Sequence, residues 1–298
     1  MCYGSVRYFL PVRAGYLKDE GCIMEKMPLI TVVTAVYCPV SAGRTDVFRE
    51  MMASVAELGK YCSVEHWIQD GGSQDGSMDL YQEYCGQIHL ESAPDGGIYD
   101  AMNKASFAAS GKYLVFLNSD DFYHDPGELA GLVQELEASG GDYAFAPVRR
   151  IRSNGKEEVR PVKLYSIFGR MPYCHQTLIV KKSCFEEMGG YDTSYRILGD
   201  YDFALRLYLA GRSFVCGKKA FATFRSGGVS HDKARNHQER AGIFRKIYGK
   251  WYSASDEEFL KIASNKAFPW TLFKTLLPHA RPADRMRMLW WYFCRIFR

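Results

Sequence analysis

Long apolar runs are missing from this chain of 298 residues. No stretch approaches the roughly 20 residues that cross a bilayer as a helix. The first 27 residues lack the long apolar region of a secretory signal peptide. We interpret residues 1–27 as an N-terminal extension, either disordered or preceding a native start at Met24 or Met27. These absences argue against a membrane-spanning or secreted protein and favour a cytoplasmic one.

Paired cysteines and a large charge excess are also missing. The nine cysteines include no Cys-x-x-Cys pair and no regular spacing, which argues against a zinc site or a disulfide framework. Buried thiols in a reducing cytosol are the expected state. The net charge is only +4, and no nucleic-acid-binding signature accompanies it, so a nucleic-acid partner is not expected.

Short β-favouring segments alternate with helical patterns in the first 121 residues. Strands are predicted at residues 29–36, 64–69, 88–92 and 113–117, and helices at 46–58, 77–84 and 98–109. This alternation predicts an α/β fold with a mainly parallel central sheet flanked by helices. A polar or glycine-rich loop follows each strand, and these loops are expected to gather at the sheet edge where such folds bind ligands.

The loop after the fourth strand carries an amide and two adjacent carboxylates, Asn118-Ser119-Asp120-Asp121. Neighbouring carboxylates repel each other unless a cation or hydrogen bonds lie between them. Oxygen ligands suit Mg²⁺ or Mn²⁺, which can in turn hold a diphosphate. The segment therefore predicts either a metal site or a polar turn in which Asp121 caps the next helix.

Two earlier loops also contain carboxylates. Asp70 ends the second strand and begins the glycine-rich segment 70–76, where glycines allow the backbone to approach a ligand closely. A helix-capping loop accounts for Asp75 but leaves Asp70 unexplained. The third loop carries Asp95 and leads into a helix with Lys104 near its start, a position from which a lysine could reach a phosphate.

The second half of the chain offers fewer signals. A hairpin is predicted over residues 148–161, because Ser153-Asn-Gly155 is a strong hairpin turn. His175 and Gln176 precede an apolar strand, and His175 is equally compatible with a core histidine. Asp200 lies at the start of an amphipathic helix over 198–209, where it either performs chemistry or serves as an N-cap.

The C-terminal segment, residues 268–298, combines tryptophans with arginines and contains Asp284 as its only acidic residue. Basic residues interleaved with tryptophan are typical of a helix at the surface of an anionic membrane. The alternative is a helix packed on the domain or on a partner. We divide the chain into the extension 1–27, a domain 28–232, and a helical segment 233–298.

Six motifs in order resemble the GT-A fold, family 2 glycosyltransferases of bacterial capsule and exopolysaccharide synthesis. They are TVVTAVY at 31–37, DGGSQDG at 70–76, DGGIYDAMNK at 95–104, FLNSDD at 116–121, HQ at 175–176 and GDYDFALR at 199–206. Each motif is weak alone, and the ordered set is specific. The resemblance covers roughly residues 28–232.

The resemblance implies a binding site for a nucleotide-sugar donor. Its residues would be Thr34, Ala35, Tyr37, Asp70, Asp95, Lys104, Asn118, Ser119, Asp120, His175 and Gln176. Within this set, Asp70 would bind the base or ribose, and Asp95 and Lys104 would line the nucleotide–phosphate site.

Two positions depart from the family pattern. The Asp-x-Asp metal motif falls on residues 118–120 and begins with Asn118, which leaves Asp120, Asp121 or both to hold Mn²⁺ or Mg²⁺. The catalytic base falls on Asp200, but Gly199 replaces the glutamate that usually precedes it.

The implied function is inverting transfer of a hexosyl or N-acetylhexosaminyl group from a nucleotide-diphosphate donor, with UDP favoured over GDP. The acceptor would be a hydroxyl of a glycan or lipid-linked glycan in cell-surface polysaccharide synthesis, reached from the inner face of the cytoplasmic membrane. A catalytically silent nucleotide-sugar-binding scaffold is the alternative. Nucleotidyl transfer is less favoured, because the loop at 37–44 has one glycine and one arginine.

Overall fold

Two β-sheets organise the structure. The computed structural model describes residues 6–8, 29–226, 232–264 and 268–296. In chain order the strands are β1 (Val6–Tyr8), β2 (Ile30–Val36), β3 (Val64–Asp70), β4 (His89–Ser92), β5 (Tyr113–Phe116), β6 (Phe122–Tyr123), β7 (Tyr143–Phe145), β8 (Val148–Ile151), β9 (Glu157–Arg160), β10 (Ile179–Lys181), β11 (Phe214–Cys216) and β12 (Ala222–Arg225). The larger sheet has the order β1-β4-β3-β2-β5-β10-β7-β11, and the smaller has the order β6-β12-β8-β9.

Helices connect the strands and cover the larger sheet. They are α1 (Thr45–Leu58), α2 (Ser77–Gln82), α3 (Ile98–Ala108), α4 (Pro126–Ser139), α5 (Lys182–Glu187), α6 (Gly199–Leu209), α7 (Lys233–Tyr248), α8 (Asp256–Ala263), α9 (Trp270–Leu276) and α10 (Pro282–Ile296). Short 3₁₀ segments span Leu164–Ser166, His175–Thr177 and Leu277–His279. The predicted alternation up to β5 is confirmed, whereas α5, α8 and β6 were not predicted.

The central strands β4, β3, β2 and β5 pair in parallel, which confirms the mainly parallel α/β sheet. Strand β10 inserts antiparallel between β5 and β7. Strand β1 pairs antiparallel with β4. Part of the N-terminal extension therefore joins the sheet, which corrects its interpretation as a segment outside the domain. The remainder of residues 1–27 lies outside the described residues.

The apolar strands are buried on both faces. In β2, Ile30 and Val32 belong to one core cluster, and Val33 belongs to the other. In β5, Val115 and Phe116 divide in the same way. Alternate side chains of a strand point to opposite faces, so these near-continuous apolar runs are those of a sheet covered on both sides.

The predicted hairpin is confirmed. Strands β8 and β9 pair antiparallel from Val148–Arg160 to Ile151–Glu157. Gly155 has a φ of +78° in the turn, a conformation that glycine adopts without steric cost. The sequence GGVSH at residues 227–231 predicts a polar loop, and this segment lies outside the described residues.

The C-terminal helices share the main core and do not form a separate unit. Phe244 of α7, Phe273 of α9 and Met288 of α10 lie in the same buried cluster as Phe203 of α6. The Tyr208 hydroxyl donates to Asp284 at 2.9 Å. The boundary proposed at residue 232 is therefore not a boundary of the core. Among the described residues, no helix combines the length and apolar character that a bilayer crossing requires.

Candidate active site

The polar segments predicted to meet do lie at one edge of the central sheet. Strands β2, β3 and β4 are paired in parallel up to Val36, Asp70 and Ser92. The loop after β5 begins at the same edge, since β5 is parallel to β2. The carboxyl ends of parallel strands thus bring four loops of the sequence together, as expected for a ligand site in an open α/β sheet.

Asp70 is the hydrogen-bonding centre of the second loop. Its side chain is fully buried, and it accepts from the backbone of Gly72 at 3.0 Å and of Ser73 at 2.8 Å. The hydroxyls of Tyr81 and Ser92 donate to it at 2.9 and 2.6 Å. These four donors show that Asp70 holds the loop in shape. Its contact with the base or ribose of a nucleotide stays a prediction.

The first loop divides into a buried and an exposed part. Thr34 is fully buried, with its hydroxyl 3.1 Å from His66 Nε2, so its side chain faces the interior and not a ligand. Ala35 is half-buried, and the Tyr37 side chain is 61% exposed. The prediction for the Thr34 side chain is therefore corrected, and of the three predicted residues Tyr37 is the most open to a ligand.

Gly71 brings the first and third loops into contact. A Cβ at this position would lie 3.0 Å from both the Asp95 carboxylate and the Tyr37 ring. The absence of a side chain therefore allows a ring and a carboxylate to converge on the backbone. Asp95 also accepts from the Gly97 amide at 2.8 Å.

Lys104 lies on α3 beside this loop. Its ammonium is 2.9 Å from the Asp100 carboxylate and 3.5 Å from the Pro94 carbonyl. The lysine is partly exposed, so its charge is held near the loop and remains open to an anion.

The two adjacent carboxylates of the fourth loop have different environments. Asp121 is fully buried and accepts from the Arg225 amide at 2.8 Å, the Gln176 amide group, and Asn118 Nδ2 at 3.1 Å. Burial, together with the charge of Asp120, raises the pKa of Asp121 to about 7. The geometry gives Asp121 a structural role, which corrects its interpretation as a metal ligand and excludes the helix cap, because Asp125 caps α4.

Asp120 is the carboxylate that remains for a cation. It is partly exposed, and its backbone carbonyl accepts from Arg225 at 2.6 Å. The preceding Ser119 is buried. Within the described ranges, no three His, Cys, Asp or Glu side chains are grouped closely enough to hold a metal by themselves. Mg²⁺ is commonly bound by one or two carboxylates together with substrate phosphates and water, so Asp120 fits a cation that arrives with a diphosphate.

Asp200 lies in the first turn of α6 but does not cap it. The N-cap is Leu198, with no side-chain capping bond. Asp200 Oδ1 accepts from Tyr201 N at 2.7 Å and from the Tyr99 hydroxyl at 3.2 Å. Burial raises the pKa of the Asp200 carboxyl to about 6. The capping alternative is therefore wrong, and the carboxyl titrates in the range suited to a general base.

His175 connects the fourth loop to Asp200. Its Nε2 lies 3.3 Å from Asn118 Oδ1, and its Nδ1 lies 3.9 Å from Asp200 Oδ2. Burial lowers the pKa of His175 to about 4, so the ring is neutral at pH 7. It can therefore interact with Asn118 and Asp200 by hydrogen bonding but not as a cation. Gln176, the next residue, instead binds Asp121 and is buried.

Tyr99 is a site residue that was not predicted from the sequence, although the glycine at position 199 is a signal of it. A Cβ at Gly199 would lie 2.7 Å from the Tyr99 ring, so the ring occupies the space beside the position where the family carries glutamate. The single proton of the Tyr99 hydroxyl has two acceptors within reach, Ile197 O at 2.7 Å and Asp200 Oδ1 at 3.2 Å. Glu239 of α7 was also missed, and it accepts from the Ile197 and Leu198 amides at 2.9 Å each.

A cavity of about 680 Å³ opens beside Asp200 and is lined in part by Tyr99, Asn118, His175 and Gln176.

A family model described as glycosyl transferase family 2 matches residues 40–193. An uncharacterized glycosyltransferase of Mycobacterium tuberculosis is 30% identical over 227 residues, which are 74% of this chain and 82% of that protein. The chain belongs to glycosyltransferase family 2.

Other relatives of this glycosyltransferase extend the comparison. A PGL/p-HBAD biosynthesis glycosyltransferase of Mycobacterium bovis is 30% identical over 148 residues, covering 47% of this chain and 57% of that protein. S. aureus TarS 1–349, solved with UDP-GlcNAc, has a TM-score of 0.60 at 15% identity, over 87% of this chain and 78% of that one. The mannosyltransferase PcManGT from Pyrobaculum calidifontis, solved with GDP-Man and Mn²⁺, has a TM-score of 0.56 at 15% identity, over 91% and 81%. These two structures establish the GT-A-like fold.

Proposed function

We propose that this family 2 glycosyltransferase transfers a hexosyl or N-acetylhexosaminyl group from a nucleotide-diphosphate donor, preferably a UDP-sugar, to an acceptor hydroxyl with inversion. The acceptor is a glycan or lipid-linked glycan of the cell surface. The observation that carries the proposal is Asp200, a partly buried carboxyl with a pKa of about 6 at the edge of an open cavity. A carboxylate there can take the proton of an attacking hydroxyl near neutral pH.

The donor is assigned to the edge formed by the four loops. Tyr37 offers a ring for the base, and Asp95 and Lys104 flank the nucleotide. Asp120 would hold Mn²⁺ or Mg²⁺ together with the donor, and the bound cation would supply positive charge to the leaving diphosphate. Relatives in fold bind UDP-GlcNAc and GDP-Man, which supports a nucleotide-sugar donor without selecting the base.

The acceptor hydroxyl is assigned to the cavity beside Asp200, on the side of the carboxyl away from the donor. Oδ2 of Asp200 accepts no hydrogen bond from the described residues and lies 3.9 Å from His175 Nδ1, while Oδ1 accepts from Tyr99 and Tyr201. Asp200 receives the hydroxyl proton, the acceptor oxygen bonds to the anomeric carbon, and the bond to the diphosphate breaks on the opposite face. One displacement of this kind inverts the anomeric centre and needs no carboxylate nucleophile, in contrast to a retaining glycosidase.

A donor screen tests the proposal. Nucleotide release is measured for UDP- and GDP-sugars, with and without Mn²⁺, for the wild type and Asp200→Asn. We expect release from one donor that depends on the cation and on Asp200. Binding of a donor with no release beyond that of Asp200→Asn under any condition would favour the silent scaffold.

We further propose that α10 contacts the inner face of an anionic membrane through its outer face. Met286 and Trp290 are 74% and 73% exposed, and Phe293 follows one turn later on the same face. Met288 and Tyr292, on the opposite face, are buried. The helix thus both packs on the domain and presents apolar side chains, so the two alternatives from the sequence are compatible.

Removing the whole C-terminal segment would uncover the core, so surface substitutions are the sharper test. Met286→Ser with Trp290→Ser should reduce sedimentation with phosphatidylglycerol vesicles several-fold, because apolar burial drives interfacial binding. Tyr61→Ser, at another exposed ring, is the matched control. Equal sedimentation of the wild type and the double variant would refute membrane contact by this face.

A further inference from the structure

The cavity beside Asp200 carries an excess of positive charge that the transfer reaction does not itself require. Its cationic lining side chains are Arg150, Arg160, Lys163, Arg170, Arg196 and Arg240. The only carboxylates among its described lining residues are Glu158 and Asp200. With +4 as the net charge of the whole chain, this cavity concentrates cations far beyond the average of the molecule.

Several of these cations have no carboxylate partner. Within the described part of the chain, Arg160, Lys163 and Arg170 form no ion pair, whereas Arg150 pairs with Glu158 at 3.4 Å. Arg160, Lys163 and Arg170 are exposed. Because surface cations without partners repel one another, a cluster of them is a favourable site for an anion.

Arg240 of α7 extends the cluster inward. Its guanidinium donates to the Ala263 carbonyl at 3.1 Å and to Asn236 Oδ1 at 2.7 Å, and its buried Nε has no partner among the described residues. Burial and the nearby charge of Arg170 lower the pKa of Arg240. Arg170 and Arg240 both line the cavity, and neither pairs with a carboxylate of the described residues.

The cluster lies away from the loops assigned to the nucleotide. Tyr37, Asp95, Lys104 and Asp120 do not line the cavity. Asn118, His175 and Asp200 do, so the cavity meets the donor side at the reacting centre. It also reaches the third loop through Arg196, whose guanidinium donates to the Gly96 carbonyl. The cations come from the hairpin β8–β9, from residues 161–172 and from α7, apart from Arg196, which precedes α6.

We infer that the acceptor of this enzyme carries a phosphate group, as a phosphate ester or diphosphate next to the accepting sugar, and that Arg160, Lys163, Arg170 and Arg240 bind it. The inference rests on the proposed function and specifies its acceptor. A phosphate presents several oxygens in different directions, which suits guanidiniums arriving from three separate elements. Binding there fixes the acceptor so that its hydroxyl faces Asp200, and the phosphate itself is not changed.

Binding of three probes to protein saturated with UDP and Mg²⁺ tests the inference by calorimetry. Octyl phosphate represents the ester, inorganic phosphate represents the free anion, and octyl glucoside reports binding of the tail or sugar alone. We expect octyl phosphate to bind more tightly than octyl glucoside, with an affinity that falls as salt rises.

Arg160→Gln with Arg170→Gln should weaken octyl phosphate binding by about tenfold or more, because hydrogen bonds between charged groups are lost. Lys233→Gln with Arg235→Gln is the matched control. It removes the same two positive charges from exposed residues of α7 that do not line the cavity. The control should keep its affinity within about twofold. Thermal melts of both variants establish that they fold.

Three results would overturn the inference. The variant could bind octyl phosphate as tightly as the wild type. Octyl phosphate could bind to the protein without UDP and fail to bind once UDP saturates it, which would assign the cations to the donor diphosphate. Inorganic phosphate could bind while octyl phosphate does not, which would indicate a free-anion site. None of these readouts uses turnover, so they are distinguishable from a failure of the donor screen, which would refute the proposed function itself.

Discussion

Replacing Asp200 by asparagine separates its chemistry from its contribution to stability. The carboxyl has a pKa of about 6 in the folded protein because it is buried, against about 3.9 for an unperturbed aspartate. The native state therefore binds more protons than the unfolded state between about pH 4 and pH 6. The protonated carboxyl at low pH carries no penalty in the folded state. The free energy of unfolding therefore falls as pH rises through that window and the buried group ionises.

The size of the effect follows from the shift. Two pKa units correspond to about 3 kcal/mol of differential interaction at pH 7, which is the upper limit of what a neutral asparagine can regain. Its side-chain oxygen can still accept from Tyr99 and Tyr201, the present donors to Asp200. Asp200→Asn should therefore melt no lower than the wild type at pH 7, and the difference should vanish below about pH 4.

Turnover should change in the opposite sense. Loss of a general base costs roughly 10²–10⁴-fold in rate, while the affinity for the donor nucleotide should stay unchanged. In the wild type, kcat/KM should fall on the acid side with a midpoint near the pKa of about 6. Asp79→Asn, an exposed carboxylate in the first turn of α2, is the matched control.

Transfer by Asp200→Asn at a near wild-type rate would refute the assignment. The structure then leaves His175 as the next candidate, 3.9 Å away. Asp202 is excluded, because it is fully buried and pairs with Arg206 at 2.7 Å.

Further substitutions test the neighbours of the base. Tyr99→Phe removes a donor to the Asp200 carboxylate, so the acid limb of kcat/KM should move to higher pH and most activity should return at alkaline pH. Tyr191→Phe is its control, since the Tyr191 hydroxyl has no partner among the described residues, and an equal shift in both variants would contradict the assignment. Asp120→Asn should melt like the wild type but lose the response of nucleotide release to Mn²⁺. Asp121→Asn should lower the free energy of unfolding by about 1–3 kcal/mol, because buried hydrogen bonds are disturbed, and a melt identical to the wild type would be inconsistent with its structural role.

The positions of the loops could be predicted from the sequence, because they depend on local pattern. Apolar strands ending in polar residues identify the ligand edge of the sheet, and the alternation with helices fixes parallel pairing. The antiparallel insertion of β10 between β5 and β7 could not be predicted in this way. This insertion depends on which strands pair after long connections, and the local periodicity of the sequence contains no information on pairing between distant segments.

The role of each carboxylate could not be predicted for a similar reason. Asp70, Asp120 and Asp121 all follow apolar strand segments. What distinguishes Asp121 is its donors, Gln176 and Arg225, which lie 55 and 104 residues away in the sequence. A carboxylate surrounded by donors in the folded state is closed to a ligand, and only the tertiary structure brings those donors to it.

The two departures from the family pattern, Asn118 and Gly199, can be explained by the same physical reason. Asn118 donates to Asp121 at 3.1 Å while its oxygen faces His175 at 3.3 Å, and an aspartate there would set a second negative charge against a buried carboxyl whose pKa is already raised. Gly199 leaves room for the Tyr99 ring, whose hydroxyl reaches Asp200. Each departure replaces a carboxylate by a neutral group that hydrogen-bonds or makes space for a hydrogen bond. The two positions that motivate a silent scaffold are thus those where a neutral residue hydrogen-bonds to Asp121 or leaves room for the ring whose hydroxyl reaches Asp200.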